Sequence, residues 1–218
     1  GMRAELESLP TVTILTRTTA FGYHADNLVV LWEKVTDHLP LSARDPSLPR
    51  HREWRVRARE VVLATGVVER PLLFHQNDRP GIMLASAAVA YAHRYGVLPG
   101  RKVAVFTSND AGYGAALALK AAGAEIASIV DARPHAGPGV ADRAAAAGVK
   151  VIPSATVVGT RGTRRVSAIR VMEISGAGQA TGRAVEIACD CLAVAGGFSP
   201  DVALFSQSRG QLVYDEAW

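Results

Sequence analysis

The chain has 218 residues, with 24 Lys and Arg against 20 Asp and Glu, and a formal net charge of +4. Its 49% hydrophobic and 20% charged residues are typical of a globular protein and exclude a disordered or collagen-like chain. No apolar run approaches the ~20 residues of a membrane span, and the first residues do not have the pattern of a signal peptide. Two cysteines in 218 residues exclude a small secreted domain held together by disulfide bonds. We therefore expect a cytoplasmic protein with one large or two small domains and no membrane partner.

The first part of the chain predicts a strand, a meander and a closing strand. Val12–Gly22 contains a short apolar strand, and NLVVLWEKV and EWRVRA alternate like hairpin strands. The run Glu60–Gly66 (EVVLATG) then predicts a strand that ends in small residues. The densest basic patch, Arg50–Glu60, alternates arginines with apolar residues, which favours a strand with one solvated face over a nucleic-acid-binding surface.

A strand–helix–strand–helix–strand unit is predicted in the middle of the chain. Val103–Phe106 and Ile126–Val130 are short apolar runs, and Ala111–Ala122 is a strong helix former that Gly123 stops. The segment ADRAAAAG predicts a second helix, and Val149–Ile152 a third strand. Such a unit requires a parallel sheet.

The order of elements seen in the first part then returns. Residues 149–159 align without gaps with residues 12–22, and alternating segments follow in RRVSAIRVMEI and RAVEIA before Cys191–Gly197 (CLAVAGG) closes the copy. The matched order favours an internal repeat over chance similarity. Because no strand–helix unit precedes the first copy in this sequence, we expect the first domain to be incomplete.

The two cysteines, Cys189 and Cys191, form C-x-C rather than the C-x-x-C of a redox dithiol. Alternation predicts that both thiols lie buried on the same face of the closing strand. No histidine lies in a Ser-His-Asp or HExxH pattern, and no cysteine set completes a metal tetrahedron. We therefore assign no catalytic residue and no metal ligand.

The turn after the first strand of the parallel unit predicts dinucleotide binding. At the positions of G-x-G-x-x-G the sequence has Thr107, Asn109 and Gly112. We expect Asn109 to tolerate a left-handed backbone and Gly112 to allow close helix–strand packing. Asp131, 24 residues after Thr107, is placed to bind ribose hydroxyls, with a solvated strand end as the alternative. Arg133 would pair with a phosphate, stack on adenine or be a surface charge.

Small residues at the ends of both closing strands complete the candidate site, because ligands of open α/β sheets lie outside the carboxyl ends of strands. A plain strand-to-loop turn is the alternative at these glycines. The expected cofactor-binding residues are Thr107, Ser108, Asn109, Asp110, Gly112, Tyr113, Asp131, Ala132, Arg133, Ala195, Gly196, Gly197, Ala64, Thr65 and Gly66.

Five segments resemble the alpha subunits of heterotetrameric sarcosine oxidases and of related flavin-dependent amine and opine dehydrogenases. They are VTILTRTTAFGYHADNL, REVVLATGVVERPLLFHQNDRPGIMLASA, RYGVLPGRKVAVFTSNDAGY, IVDARP and CDCLAVAGGFSPDVALFSQS. The resemblance implies an α/β fold with two dinucleotide-binding domains of the glutathione-reductase-like Rossmann type, in which a parallel sheet is joined to an antiparallel β-meander. In this family an NAD-binding domain is inserted into an FAD-type domain.

The resemblance divides the chain into three segments. Residues 1–80 would be the back half of the FAD-type domain, residues 81–197 the NAD-binding Rossmann domain, and residues 198–218 the return to the FAD-type domain. The sequence has no glycine-rich fingerprint for the FAD-type domain. The resemblance therefore implies NAD for this chain and FAD only for the complete parent chain.

The resemblance also implies a function. The chain would be part of an oxidoreductase that demethylates sarcosine or a related secondary amine, with the other subunits of a hetero-oligomeric oxidase as partners. The family oxidises the amine on a flavin in a separate beta subunit, so we expect the chain alone to be inactive. Two alternatives stay open: part of an FAD- and NAD(P)H-dependent pyridine nucleotide-disulphide-type reductase, which the missing C-x-x-C weakens, and a non-catalytic assembly module with a degenerate dinucleotide site.

Overall fold

The computed structural model describes residues 2–214. Over that range the elements are, in chain order, α1 (Met2–Glu7), β1 (Thr18–His24), β2 (Leu28–Lys34), β3 (His51–Arg57), β4 (Val67–Glu69), β5 (Ile82–Leu84), α2 (Ala85–Tyr95), β6 (Lys102–Thr107), α3 (Ala111–Ala121), β7 (Glu125–Asp131), α4 (Val140–Ala146), β8 (Val151–Ile152), β9 (Ala155–Arg161), β10 (Ala168–Ile174), β11 (Ala180–Ala188), β12 (Cys191–Ala195), β13 (Phe198–Pro200) and α5 (Ala203–Gln207). None of the described helices is long and apolar enough to cross a membrane. The chain divides into two compact units, Gly1–Gly66 with Pro200–Trp218, and Val67–Ser199.

The first unit contains an antiparallel meander in the order β1-β2-β3. Its strands follow the predicted alternation only loosely, since Val30 is buried while Trp32 is 42% exposed. The hydrogen bonds from the Arg50 guanidinium to Asp37 hold the pKa of that carboxyl below its ordinary value. β2 and β3 pair antiparallel from Leu28 with Arg57 to Lys34 with His51, so the two predicted hairpin segments of the first copy are confirmed as paired strands.

The predicted closing strand of the first copy, Glu60–Gly66, is wrong, because these residues form no strand. A strand exists only where its backbone N–H and C=O groups pair with a neighbouring strand. Here the return segment pairs with part of the run instead: the Thr65 hydroxyl donates to the carbonyl of Asp201 (2.6 Å), and the Asp201 N–H donates to the carbonyl of Gly66 (3.0 Å). The expected strand at the start of Val12–Gly22 is also absent, since β1 begins at Thr18.

The second unit is built on a five-stranded parallel sheet in the order β5-β12-β6-β7-β8. One face of the sheet packs against α2, α3 and α4 through a cluster that includes Val105, Leu119 and Ala144. The other face packs against the antiparallel meander β9–β10–β11 through a cluster that includes Phe106 and Ile169. The predicted parallel unit and the second meander are confirmed.

The closing strand of the second copy, β12, lies inside the parallel sheet, and all five of its residues are buried. The prediction that both thiols share a face is wrong. Cys191 belongs to the cluster on the helix side of the sheet, whereas Cys189 belongs to the cluster on the meander side. The reason is that β12 begins at Cys191, and the bend at Asp190 breaks the alternation that the sequence implies.

The second unit begins earlier than the boundary after residue 80 that the sequence predicts. Leu72 and Phe74 pack against the cluster on the meander side of the sheet, and the rings of Phe74 and Phe106 meet edge to face at 6.0 Å. Apolar side chains thus join the segment before β5 to the parallel sheet. The second unit also continues past residue 197 to Ser199.

Candidate dinucleotide-binding site

The turn between β6 and α3 is held by hydrogen bonds among its own side chains. The buried hydroxyl of Thr107 donates to the carbonyl of Asn109 (2.7 Å) and accepts the Asn109 N–H (3.1 Å). The Asn109 side chain accepts the N–H of Ala111 (2.9 Å), and its amide nitrogen donates to the carbonyl of Ala195 (2.9 Å). The expected left-handed backbone at Asn109 is wrong, since this residue has no positive φ. Its side chain makes the turn by accepting the Ala111 N–H two residues further along the chain.

Gly112 brings the start of α3 into direct contact with β6. A Cβ at this position would lie 2.5 Å from the Cβ of Thr107, so no other residue allows the same approach. The N–H groups of Asp110 and Gly112 make no hydrogen bond to any residue in the described range. Free N–H groups at a helix N-terminus, where the helix dipole is positive, are suited to bind an anion such as a pyrophosphate.

Asp131 ends β7 and is fully buried, so the solvated strand end considered from the sequence is wrong. Its carboxylate accepts the Tyr113 hydroxyl (2.9 Å) and the backbone N–H of Arg133 (2.9 Å). It also accepts the Nε (3.1 Å) and Nη2 (2.9 Å) of the Arg133 guanidinium. Protein donors therefore occupy the oxygens that the sequence assigns to ribose hydroxyls.

Arg133 joins the two loops at this edge of the sheet. Its Nη2 also donates to Asp110 (2.8 Å), which accepts the N–H of Gly137 (3.0 Å). The Gly137 N–H and the Arg133 guanidinium hold the pKa of Asp110 below its ordinary value, while burial and Asp131 raise the pKa of Tyr113. One guanidinium between two carboxylates thus ties the loop after β7 to the start of α3.

The end of β12 contacts the turn through backbone groups. The carbonyl of Ala195 accepts the N–H of Ser108 (3.1 Å), and Ala132 donates to the carbonyl of Thr107 (2.9 Å). The structure thus brings Ala195, Ala132 and the turn residues together.

Gly196 packs against the chain itself. A Cβ there would lie 2.6 Å from the carbonyl oxygen of Arg70, and the Gly196 N–H donates to the same oxygen (2.8 Å). Arg70 in turn donates its N–H to the carbonyl of Gly197 (2.8 Å). The close approach that makes a glycine necessary at this position is therefore an approach of residues 70 and 71 of the chain.

Ala64, Thr65 and Gly66 belong to the first unit, and all three are exposed. Thr65 and Gly66 hold the return segment at Asp201, as described above. In this structure they contribute to the local fold of the first unit.

Sequence reasoning missed Glu69, an acid on the short strand β4 that is only 8% exposed. Its Oε2 accepts the N–H of Ser86 (2.9 Å) in the first turn of α2. The available signal was an acidic residue directly after the apolar pair Val67–Val68. An acid in that setting is buried only when a donor meets it.

The thiols offer no reactive sulfur. Burial raises the pKa of Cys189 to about 11 and the pKa of Cys191 to about 12, so both are neutral thiols near neutral pH. Among residues 2–214, no group of three or more His, Cys, Asp or Glu side chains is placed to hold a metal ion.

Two sarcosine oxidase alpha subunits are similar to nearly the whole chain. The alpha subunit of sarcosine oxidase from Rhizobium meliloti (strain 1021) is 44% identical over 212 residues, which are 96% of this chain and 20% of that protein. The alpha subunit of sarcosine oxidase from Corynebacterium sp. (strain P-1) is 42% identical over 214 residues, which are 97% of this chain and 22% of that protein. The chain therefore spans about a fifth of the length of these relatives.

A solved structure and a family model agree on the fold. An NAD-dependent persulfide reductase from A. fulgidus matches with a TM-score of 0.61 at 17% identity, over 94% of this chain and 35% of that one. The α/β dinucleotide-binding fold predicted from the sequence is thus confirmed. The model of the pyridine nucleotide-disulphide oxidoreductases matches residues 7–217. The chain belongs to the family of pyridine nucleotide-disulphide oxidoreductases.

Proposed function

We propose that this chain is the NAD-binding portion of the alpha subunit of a sarcosine-oxidase-like flavoenzyme. The whole complex would oxidatively demethylate sarcosine or a related secondary amine, with FAD bound by the complete parent chain and other subunits as partners. Its similarity to two sarcosine oxidase alpha subunits supports the assignment. We propose a cytoplasmic location for the complex, as the sequence composition predicts.

The single observation that carries NAD binding is the start of α3. At the carboxyl end of the central strand β6, Gly112 packs directly against Thr107. The N–H groups of Asp110 and Gly112 make no hydrogen bond within residues 2–214. A pyrophosphate at this point would receive both N–H groups together with the positive end of the helix dipole. The residues of the turn therefore fit the phosphate part of a dinucleotide.

The adenosine part would lie over the end of β7. Because the Asp131 oxygens already accept donors from Tyr113 and Arg133, the predicted contact with ribose hydroxyls requires Arg133 to move. In the geometry observed, Asp131 orients Arg133, whose side chain is 30% exposed and presents a planar guanidinium at the edge of the sheet. Adenine stacking on that plane is the contact that we propose. Bound NAD would supply a hydride acceptor, and the residues of this chain would hold it.

One of the alternatives keeps structural support. A non-catalytic assembly module is favoured by the filled hydrogen bonds of Asp131 and by the chain segment that packs on Gly196. The thiol-disulphide reductase alternative loses support, because Cys189 and Cys191 are buried in different clusters with raised pKa values. We therefore treat the assembly module as the competing hypothesis in the test.

Calorimetric titration with ADP-ribose, which keeps the adenosine and the pyrophosphate, tests the proposal. We expect the wild-type chain to bind ADP-ribose and Gly112→Ala to bind it at least about tenfold more weakly, since the added methyl group must push α3 away from Thr107. Gly176→Ala is the matched control, because a Cβ there meets nothing within 4 Å. A folded wild-type chain that binds neither ADP-ribose nor NAD would contradict the proposal and support the assembly module.

A further inference from the structure

A small cavity of about 260 Å³ opens between the first turns of α2 and α3 in the second unit. Its walls include Ala85, Ala111, Gly114 and Phe198, and Glu69 is its acidic residue. This volume is below the ~300–1,000 Å³ of pockets that hold a whole drug-sized ligand, so it suits one ring of a larger molecule.

Glu69 brings an unmatched acceptor to this cavity. Its Oε2 accepts the N–H of Ser86 (2.9 Å), a useful contact because Leu84 at the N-cap of α2 makes no side-chain cap. Its Oε1 makes no hydrogen bond to any residue in the described range, and this oxygen is not sealed off from solvent. This carboxylate oxygen lines a mostly apolar cavity and is open to an N–H or O–H donor of a ligand.

The sheet order fixes the position of this cavity relative to the candidate dinucleotide site. In the order β5-β12-β6-β7-β8, the α3 turn follows the central strand, and Asp131 follows β7 on one side of it. The cavity lies on the other side, towards β12 and β5, because α2 follows β5 directly. A dinucleotide with its pyrophosphate at the start of α3 and its adenosine over β7 therefore extends its second half towards the cavity.

Two residues shape the cavity for a flat ring. A Cβ at Gly114 would meet nothing within 4 Å, so the glycine leaves open space on the α3 side. Phe198 on β13, the strand that pairs with β4, is 37% exposed and adds an aromatic side chain to the cavity wall. An aromatic ring stacks favourably on such a surface, and the acceptor of Glu69 selects a ring that carries a donor.

We propose that this cavity receives the pyridine ring of the dinucleotide and that Glu69 Oε1 accepts an N–H of its carboxamide. The inference rests on the proposed NAD binding and adds a specificity-determining residue to it. The Oε1 acceptor of Glu69 favours a carboxamide, which carries an N–H donor, over an acetyl group, which carries none.

The test compares three ligands by calorimetry: NAD, the 3-acetylpyridine analogue of NAD, and ADP-ribose, which lacks the ring. We expect the wild-type chain to bind NAD about tenfold more tightly than the analogue, as expected for one hydrogen bond to a charged group. In Glu69→Gln the side-chain amide supplies a donor that suits the acetyl carbonyl, so this preference should fall to within about twofold. Binding of ADP-ribose should be the same in both proteins.

The three ligands separate the two hypotheses. If the folded wild-type chain binds neither ADP-ribose nor NAD, the proposed function and this inference both fail. If ADP-ribose binds but Glu69→Gln keeps the full preference for NAD over the analogue, the role of Glu69 is overturned while the proposed function stands.

Gly114→Leu gives a second test that leaves the contact between Glu69 and Ser86 in place. The leucine side chain should fill the cavity from α3 without lowering thermal stability, since leucine is a good helix former. NAD should then bind no more tightly than ADP-ribose. Unchanged NAD affinity in a folded Gly114→Leu variant would overturn the inference.

Discussion

The two closing segments of the repeat, residues 60–66 and 191–197, have similar sequences and different structures. Residues 191–195 form β12, which pairs with β5 on one side and β6 on the other. Residues 60–66 form no strand, and Val62 is 91% exposed. The apolar pattern is present in both, so the difference comes from the neighbours that a parallel strand requires on either side.

The two meanders behave in the opposite way, because both of them form. The sheets β1-β2-β3 and β11-β10-β9 are each made of strands that follow one another in the chain and pair antiparallel. An antiparallel strand finds its partner across a short connection, whereas a parallel strand needs a distant part of the chain. Local pairing is thus set by the segment itself, and β12 depends on the rest of its unit.

The sharpest test of this comparison uses the glycine at the end of each segment. Gly196→Ala should lower the free energy of unfolding by about 2–3 kcal/mol, since the new methyl group meets the backbone of Arg70 and Pro71. Gly66→Ala should lower it by only about 1 kcal/mol, since the space is open and the loss comes from a φ of +76°. Urea denaturation of both variants measures the difference. Equal losses would show that the contact with residues 70 and 71 contributes nothing.

A smaller difference is expected between a tyrosine of each unit. Tyr113→Phe should lower the free energy of unfolding by about 2 kcal/mol, because the hydroxyl donates to the buried carboxylate of Asp131. Tyr23→Phe removes a hydrogen bond to the neutral side chain of Asn27 (2.7 Å) and should lower it by no more than about 1 kcal/mol. Urea denaturation measures both losses, and a loss at Tyr113 as small as that at Tyr23 would show that its hydrogen bond to Asp131 adds no more stability than the one to Asn27.

A further prediction concerns pH and the second unit, which contains both cysteines. Burial raises the folded-state pKa of Cys189 and Cys191 above the ordinary 9.0, to about 11 and about 12. Their contribution to stability is therefore full below pH 9. It is lost as the pH rises from 9 through about 11 and about 12, because over this range the thiols ionise in the unfolded state and stay protonated in the folded state. Denaturation curves from pH 8 to 11 should fall less steeply in a Cys189→Ala, Cys191→Ala variant. Fast labelling of the native thiols with a disulphide reagent at pH 8 would contradict their burial.

The sequence predicts the parallel unit of the second half closely. The expected strand Val103–Phe106 is β6 (Lys102–Thr107), and the expected helix Ala111–Ala122 is α3 (Ala111–Ala121). The reason is that continuous apolar runs and a glycine stop carry the information locally. The closing strand of the first copy could not be predicted correctly, because the pattern says nothing about its neighbours.

The candidate site is predictable in position and not in its contacts. The spacing from Thr107 to Gly112 locates the turn, and the need for glycine at residue 112 follows from the packing of α3 on β6. Asp131 is where the spacing places it, at the end of β7. Its partner Arg133 could not be inferred, because the same residue pair on an exposed loop would make no buried ion pair.

By itself, the sequence determined which segments form the meanders, the parallel unit and the turn, since these depend on alternation, apolar runs and glycines within a few residues of one another. Only the tertiary structure decided that β12 lies between β5 and β6, that Cys189 and Cys191 lie on opposite faces, and that Glu69 lines a cavity beside α3. These features depend on contacts between segments far apart in the chain. No local pattern specifies such contacts, because their free energy is gained only when the distant partner is in place.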